Sequence, residues 1–217
     1  TVPTKAMEEG TAVHTYFLEN DLFKKNYVFK PKAFNGRTKE GKEWMQEHGH
    51  LNILSAEWEE NLIQMNHNFL NSPAKFIYNK EGLAELSYFW EDLYKIKGKC
   101  RPDWLSKDGN TVVDLKTTQD ASPKGFQKSI ANFGYHIQSA WYMRVLKNLD
   151  VPVKEFIFIA IEKTAPFCVG VYRASEEMLE EGNKKVDEAI DKILWCKEND
   201  SYPDYTPNEI ETIDLPP

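Results

Sequence analysis

The stretch Arg101–Thr118, RPDWLSKDGNTVVDLKTT, decides how the fold of this chain is interpreted. A Pro-Asp pair is followed by a polar turn, SKDGN, and then by an apolar β-branched run that ends in Asp-x-Lys. This order predicts a β-hairpin with Asp103 and Asp114 on neighbouring strands. Because side chains two residues apart share one face of a strand, Asp114 and Lys116 are predicted to point into one site, while Leu115 points into the core.

Two carboxylates beside an ammonium group have the chemistry of a divalent metal site. Carboxylate oxygens are the ligands that hard cations such as Mg²⁺ and Mn²⁺ prefer. A lysine nearby can lower the pKa of an attacking water or stabilise the charge that develops on a phosphate. Alone, Asp-x-Lys is also compatible with an exposed cross-strand ion pair, and Asp103 with a turn residue after Pro102. The two motifs together, at this spacing, predict a metal-dependent nuclease.

Length and composition set further limits. The 217 residues fit one domain, with 41% hydrophobic residues, 28% charged residues and a formal net charge of −7. This charge excludes a chain that is basic throughout, although positive charge can be local to a nucleic-acid site. The three cysteines, Cys100, Cys168 and Cys196, form no CxxC pair, so we expect reduced thiols in a cytoplasmic protein. No apolar run reaches membrane-spanning length and no signal peptide is visible, and the start at Thr1 without methionine is compatible with a trimmed fragment.

Hydrophobic periodicity predicts helices first and strands later. The expected helices are 4–19, 38–48, 55–71, 73–79, 123–132, 135–149 and 175–198. The expected strands are 84–90, 93–105, 111–117, 154–162 and 167–173. Residues 21–36 are expected to be irregular. The order predicts an α/β fold, a mixed sheet flanked by helices, in one domain 1–217 with a mainly helical part (1–80), a catalytic core (81–200) and an irregular tail (201–217).

Four polar residues outside the hairpin are candidates for the same site, each with a plainer alternative. His14, on the first helix, is either a metal ligand or an ordinary solvated or hydrogen-bonded histidine. Glu85 follows apolar residues on a predicted strand, so it needs a metal or a lysine as partner, or else faces water at a sheet edge. Gln138 and Tyr142 share one helix face, and either brace the catalytic strand and contact DNA, or are a surface and a core residue.

Basic residues follow the Asp-x-Lys strand on two predicted helices. Lys124, Lys128 and Arg144 can contact phosphates without reading sequence, or they can be ordinary solvated side chains.

The ordered set of motifs resembles a known superfamily. Gly10-Thr11-x-x-His14, Arg101-Pro102-Asp103, Asp114-x-Lys116 and Gln138-x-x-x-Tyr142 follow one another along the chain. In this order of motifs the chain resembles the PD-(D/E)xK nuclease superfamily, whose members have a restriction-endonuclease-like fold, and within it the RecB-like group. Over nearly its whole length it resembles the phage-type RecE exonuclease (exonuclease VIII) family. Asp114 stands where many relatives have Glu, and the four cysteines of relatives with an iron–sulfur cluster are missing.

The resemblance implies a role for each candidate. Asp103 and Asp114 would ligate the metal with the Leu115 carbonyl, and Lys116 would position or activate the attacking water. His14 matches an additional metal-site histidine, and Glu85 an auxiliary acid. Supporting or DNA-contacting roles fall to a further set: Gln138, Tyr142, Arg101, Lys124 and Lys128.

The resemblance also implies an activity and partners. It implies a Mg²⁺-dependent exodeoxyribonuclease, with Mn²⁺ able to substitute, that digests linear double-stranded DNA 5′→3′ from its ends and leaves 3′ single-stranded tails for recombination. It further implies a ring-like homo-oligomer around DNA, a single-strand annealing partner of the RecT type, and a cytoplasmic, bacterial or phage-encoded enzyme. The alternatives are a structure-specific or helicase-associated endonuclease of the same fold, and a DNA-binding module with a decayed site, against which the intact Asp103, Asp114 and Lys116 argue.

Overall fold

A computed structural model describes residues 4–91, 96–205, 210 and 212–214 of the chain, without the side chain of Ala6. The N-terminal elements are α1 (Lys5–Leu18), α2 (Asn20–Asn26), β1 (Tyr27–Phe29), α3 (Lys39–His48), β2 (Asn52–Leu54), α4 (Ala56–Leu70), a 3₁₀ turn (Pro73–Lys75) and α5 (Phe76–Asn79). They are followed by β3 (Gly82–Ala84), β4 (Tyr88–Glu91), β5 (Lys97–Cys100), β6 (Trp104–Ser106), β7 (Thr111–Thr118), α6 (Pro123–Phe133), α7 (Tyr135–Asn148), β8 (Glu155–Glu162), β9 (Val169–Arg173) and α8 (Glu176–Asn199).

Five strands form the main sheet, in the spatial order β3-β6-β7-β8-β9. β7 and β8 run parallel, and the other neighbours in this sheet run antiparallel. A parallel pair needs a long crossover, which α6 and α7 supply. β1 and β2 form a separate parallel ribbon, and β4 and β5 form an antiparallel hairpin. The predicted mixed sheet flanked by helices is confirmed.

The alternation of side chains along the central strands divides the core into two layers. Ile159 of β8 packs in the layer beneath α1 and α4, whereas its neighbour Phe158 packs against α6 and α7 on the other face. Leu115 of β7 is fully buried in the first layer, as predicted. Asp114 and Lys116 therefore project together toward α7.

Helix boundaries follow local capping chemistry. The side-chain oxygens of the residues before five helices accept hydrogen bonds from backbone N–H groups in the first turn; these residues are Thr4, Thr38, Ser55, Ser122 and Ser175. Such caps satisfy N–H groups that have no partner within the helix. Gly134, at φ 67°, ends α6 and begins α7. The predicted helices over 4–19, 38–48, 55–71, 73–79, 123–132, 135–149 and 175–198 are confirmed to within a residue or two.

The expectation of an irregular segment over 21–36 is confirmed for residues 30–36, which form no helix or strand, but was wrong for residues 21–29. Its first part forms α2 and β1, because Phe23 stacks on Tyr27 with ring centroids 4.6 Å apart and both pack against the core. The short strand β2 was not predicted either, since three residues carry too little periodicity to reveal a strand.

Two predicted strands are each divided. The strand predicted over 84–90 is broken because Glu85 adopts φ 55°, so that β3 ends before it and β4 begins after it. Within the strand predicted over 93–105, Arg101–Asp103 separates β5 from β6, and residues 93–95 lie outside the described part.

The described residues of the tail, 201–205, 210 and 212–214, contain no helix or strand, and the remainder of 201–217 lies outside the description. Among the described helices, none combines the length and apolar character needed to cross a membrane. The assignment of 1–217 to a single domain stays a prediction.

Candidate metal centre

The β6–β7 hairpin brings the two predicted carboxylates together. Trp104 pairs with Val113 across the hairpin, which places Asp103, just before β6, beside the middle of β7. Asp103 Oδ2 accepts a hydrogen bond from the Leu115 N–H at 2.6 Å. Asp103 is 9% exposed and Asp114 only 1%, so both acids are buried side by side, as the hairpin interpretation predicts.

Asp114 retains a buried oxygen without a well-aligned hydrogen bond. Its Oδ1 accepts from Gln138 Nε2 at 3.0 Å. The Lys116 ammonium lies 2.5 Å from Oδ2, close enough for an ion pair, yet Oδ2 has no hydrogen-bond partner of acceptable angle. A divalent cation would be a further partner for this carboxylate.

Gln138 links α7 to the two charged residues of β7. Its Oε1 accepts from Lys116 Nζ at 3.0 Å, and its Nε2 donates to Asp114 and to the Tyr142 hydroxyl at 3.1 Å. This pattern fixes the amide orientation, since the oxygen faces an ammonium and the nitrogen faces a carboxylate. Gln138 is therefore half-buried and braces the strand, and the alternative of a surface glutamine is wrong.

Tyr135 is a contact of Lys116 that the sequence analysis missed. The Lys116 ammonium lies 4.6 Å from the centroid of the Tyr135 ring, at cation–π distance. Tyr135 stands three residues before Gln138 in α7, so the two share a helix face. The three-residue spacing from Gln138 was the sequence signal that could have identified Tyr135 as a residue of the site.

His14 and Glu85 complete the cluster around Asp103. One ligand atom from each of the three residues lies within 4.8 Å of the other two. His14 Nδ1 is 3.5 Å from Asp103 Oδ2, and burial, followed by the charge of Lys116, lowers the pKa of His14 to about 4. A neutral imidazole is the form that binds metals.

Glu85 is held by a residue that was assigned only a general supporting role. Arg101 Nε lies 2.7 Å from Glu85 Oε2 and donates to the Glu85 carbonyl at 3.1 Å. The partner of Glu85 is therefore an arginine, neither the lysine nor the open water of the sequence alternatives. The left-handed backbone of Glu85, φ 55°, costs a non-glycine residue roughly 1–2 kcal/mol, and it turns the carboxylate toward Asp103.

The acids of the cluster disfavour their own ionisation. Burial raises the pKa of Asp103 well above its ordinary value, and the neighbouring Asp114 raises it further. Burial also raises the pKa of Asp114, against the effect of Lys116 and Gln138. Burial alone would lower the pKa of Lys116, but Asp114 outweighs it and the net shift is upward. A bound cation would relieve the repulsion between the carboxylates.

Oxygen ligands from buried carboxylates and a neutral histidine together fit a hard divalent cation. Mg²⁺ and Mn²⁺ both suit this donor set, and the residues do not distinguish them.

The basic residues predicted to contact phosphates lie apart from this cluster. Lys124 and Lys128 are exposed on α6, and among the described contacts neither touches the acidic residues. Arg144 is engaged elsewhere: its guanidinium lies 2.6 Å from Asp187 and bonds the Asn183 side chain, both on α8. For Arg144 the phosphate interpretation gives way to a role in joining α7 to α8.

The comparisons with known proteins identify the family of the chain. The family profile described as "PDDEXK-like domain of unknown function (DUF3799)" matches residues 2–216. The chain belongs to this family. The predicted PD-(D/E)xK superfamily is thereby confirmed for this PDDEXK-like domain, and the family supports a nuclease. The RecE-type specialisation is finer than the family and stays a prediction.

A solved structure shows the same fold. A crystal structure described as a "Putative exonuclease" from Eubacterium rectale aligns with the PDDEXK-like domain at a TM-score of 0.65 and 19% identity, covering 100% of this chain and 79% of that one. At this identity the likeness concerns the fold alone. The structure of SSO0001 aligns at a TM-score of 0.33 and 15% identity over 82% of this chain and 84% of that one, which is too low to carry an argument. No curated protein matches the sequence significantly.

Proposed function

We propose that this PDDEXK-like domain is a Mg²⁺-dependent exodeoxyribonuclease that digests linear double-stranded DNA 5′→3′ from its ends and leaves 3′ single-stranded tails for recombination. The observation that carries the proposal is the buried meeting of Asp103, Asp114 and Lys116, with one Asp114 oxygen lacking a well-aligned partner. The exonuclease part is supported by the ordered motifs that resemble the RecE-type family, and by a neighbour of the same fold described as a putative exonuclease.

The residues divide the chemistry among them. Asp103 and Asp114, with the Leu115 carbonyl and His14, would hold the metal, and Mn²⁺ would substitute for Mg²⁺ at the same ligands. Bound there, the metal supplies polarisation of the scissile phosphate and a water of lowered pKa. Lys116 positions the attacking water and offsets the negative charge that develops on the phosphate. Glu85, oriented by Arg101, serves as the auxiliary acid.

The α7 residues act through Lys116 and Asp114. Gln138 holds the ammonium and the carboxylate at fixed positions, and Tyr142 in turn holds the Gln138 amide. A catalytic group that is held by neighbouring hydrogen bonds loses little entropy when the substrate arrives. Gln138 and Tyr142 are therefore positioning residues in this proposal.

The wider assignment follows the resemblance. It comprises a ring-like homo-oligomer on double-stranded DNA ends, a single-strand annealing partner of the RecT type, and a cytoplasmic location in a bacterium or phage-infected cell. Lys124 and Lys128 on the exposed face of α6 would contact backbone phosphates.

Digestion of labelled DNA tests the proposal. Linear duplexes carrying a 5′ or a 3′ label, and a circular plasmid, are incubated with Mg²⁺ or Mn²⁺. We expect mononucleotides released from the 5′ end of the linear duplex and no cut in the circle. Cleavage of the circle, or of branched DNA in preference to plain ends, would replace the proposal by the structure-specific or helicase-associated endonuclease. Digestion from the 3′ end would contradict the polarity.

A further inference from the structure

The β4–β5 hairpin presents two different faces. Tyr88, Trp90 and Cys100 point inward, and Trp90 packs edge-on against Trp141 of α7 with ring centroids 6.0 Å apart. The Trp141 indole N–H donates to the Lys99 carbonyl at 3.0 Å. The hairpin is therefore fastened to the helix that also carries Gln138 and Tyr142.

Gly98 makes this attachment close. A Cβ at Gly98 would lie 2.6 Å from the Trp141 ring and 3.0 Å from the Trp90 ring, so the indole of Trp141 covers the bare backbone of β5. These contacts fix the orientation of the hairpin on α7 and therefore the direction of its outer side chains.

The outer face carries an aromatic ring, two lysines and one glutamate. Phe89 is 70% exposed and pairs in register with Lys99, and Glu91 pairs with Lys97. Within residues 4–91, 96–205, 210 and 212–214, neither lysine has a carboxylate at ion-pair distance, Glu91 included. Single exposed apolar residues need no explanation, but this ring stands beside two lysines that have no ion pair among the described residues, on a chain of net charge −7.

The basic groups lead toward the metal centre. Lys97 and Lys99 share one face of β5, because side chains two residues apart in a strand lie on the same side at a step of about 7 Å. The strand ends at Cys100, directly before Arg101. Arg101 contacts Glu85 of the cluster around Asp103. A strand whose phosphates pass Lys97 and then Lys99 therefore heads toward the end of β5 that leads to Arg101 and the cluster.

We propose that the outer face of the β4–β5 hairpin, formed by Phe89, Lys97 and Lys99, binds a single nucleic-acid strand and guides it to the metal centre. Phe89 stacks on a base, and the two ammonium groups contact successive phosphates; this combination of an aromatic platform with positive charge is how proteins bind single strands without sequence preference. The inference deepens the proposed function by naming the part of the substrate that this face takes.

Fluorescence anisotropy with a 5′-labelled single-stranded oligodeoxynucleotide of mixed sequence tests the inference, in EDTA and at low ionic strength so that no cleavage occurs. Phe89→Ala should weaken binding about tenfold, and Phe89→Trp should restore it. The double variant Lys97→Gln/Lys99→Gln should weaken binding and lower the slope of log affinity against log salt by about 1.4, the value for two phosphates of a single strand. Melting temperatures verify that each variant folds.

Two matched controls remove the same kinds of group elsewhere. Lys192→Gln/Lys197→Gln takes two exposed charges without a described ion pair from α8, and Tyr202→Ala removes an aromatic side chain that is 74% exposed. Both should bind the oligonucleotide like the wild type. Equal losses in the control and hairpin variants would mean that only bulk charge matters, and would overturn the inference.

The outcome separates this inference from the proposed function. If the wild type cleaves duplex ends while the hairpin variants bind the oligonucleotide as it does, the inference fails and the nuclease stands. If the hairpin variants lose affinity but no DNA is cleaved under any metal, the inference stands and the nuclease fails. A wild type that binds no oligonucleotide, or whose hairpin variants lose affinity only for an acidic peptide, overturns the inference.

Discussion

Gln138 Oε1 accepts a hydrogen bond from Lys116 Nζ at 3.0 Å, so one amide of α7 positions the only cation of the β7 motif. The same amide donates to Asp114 at 3.0 Å. β7 thus supplies the charged groups Asp114 and Lys116, and Gln138 of α7 fixes their positions.

Gln138→Ala should lower kcat about 10- to 100-fold, the range seen when partners that orient a metal site are removed, with little change in KM. Without the amide, the Lys116 ammonium has one fewer fixed contact. Steady-state digestion of a labelled duplex measures the effect. Gln127→Ala, on the exposed side of α6, is the matched control and should retain full activity; an unchanged kcat for Gln138→Ala would remove Gln138 from the site.

Asp114→Ala and Lys116→Ala should each lower cleavage by at least about 1000-fold while the protein remains folded. Asp114 provides a ligand oxygen and Lys116 the charge that faces the phosphate. Nucleotide release and circular dichroism are measured on the same samples, with Lys192→Ala on α8 as the control for loss of a lysine. Retained cleavage in either variant would count against the assigned metal centre.

His14→Ala should weaken Mn²⁺ binding by more than about tenfold, because it deletes a neutral ligand rather than a residue that only orients one. Isothermal titration calorimetry with MnCl₂ gives the affinity. His50→Ala changes an exposed histidine outside the cluster and should bind Mn²⁺ like the wild type. Equal affinities for the two variants would exclude His14 as a ligand.

Asp103→Asn should raise the melting temperature of the metal-free protein at neutral pH, and the gain should vanish in acid. Burial raises the folded-state pKa of Asp103, so its contribution to stability is present below the unfolded pKa and is lost as the pH rises through the folded pKa. Asparagine does not ionise, so the variant keeps this stability at neutral pH. A gain on the order of 1 kcal/mol corresponds to a rise of about 2–4 °C for a protein of this size.

Asp108→Asn provides a control of opposite sign. The Ser106 hydroxyl and the Asn110 backbone lower the pKa of Asp108 to about 2, so its contribution is present above the unfolded pKa and is lost as the pH falls toward 2. This substitution should therefore lower the melting temperature slightly at neutral pH, or leave it unchanged. A fall at neutral pH for Asp103→Asn as well would mean that the buried carboxylates do not destabilise the metal-free fold.

Gly182→Ala should destabilise the fold by about 1–3 kcal/mol, although alanine usually favours a helix by about 1 kcal/mol. The added Cβ would lie 2.1 Å from the His136 carbonyl and 2.8 Å from the Ala140 Cβ, so α8 would be forced away from α7. Urea unfolding measures the change. Gly10→Ala in α1 is the matched control, because its Cβ would meet Thr117 at an ordinary 3.6 Å, and it should be neutral or stabilising. If the two variants behave alike, the close packing of α7 on α8 is not required.

The parts of the fold that depend on local sequence could be predicted. Hydroxyl residues before the helices fix where these helices begin, and the two-residue period of β7 separates Leu115 from Asp114 and Lys116. The turn between β6 and β7 brings Asp103 beside Asp114 within a dozen residues of chain.

The contacts that depend on distant segments could not be predicted. The pairing of Glu85 with Arg101 requires a left-handed residue that no turn signature announced, and Tyr135 reaches Lys116 only once α7 has docked on the sheet. The ion pair from Arg144 to α8 likewise depends on how α7 and α8 pack, which the sequence of either helix alone does not reveal. Sequence therefore predicts the candidate carboxylates and the lysine better than the residues that orient them.

Asp114 occupies the middle of β7, the central strand in the sheet order β3-β6-β7-β8-β9, and pairs in register with Phe158 of the fully buried strand segment in β8. A backbone in such a position opens to solvent only when the molecule unfolds as a whole. The geometry of the metal-binding acid is thereby protected from local fraying, and heat inactivation of this protein would report the melting of its entire sheet rather than the loosening of a loop.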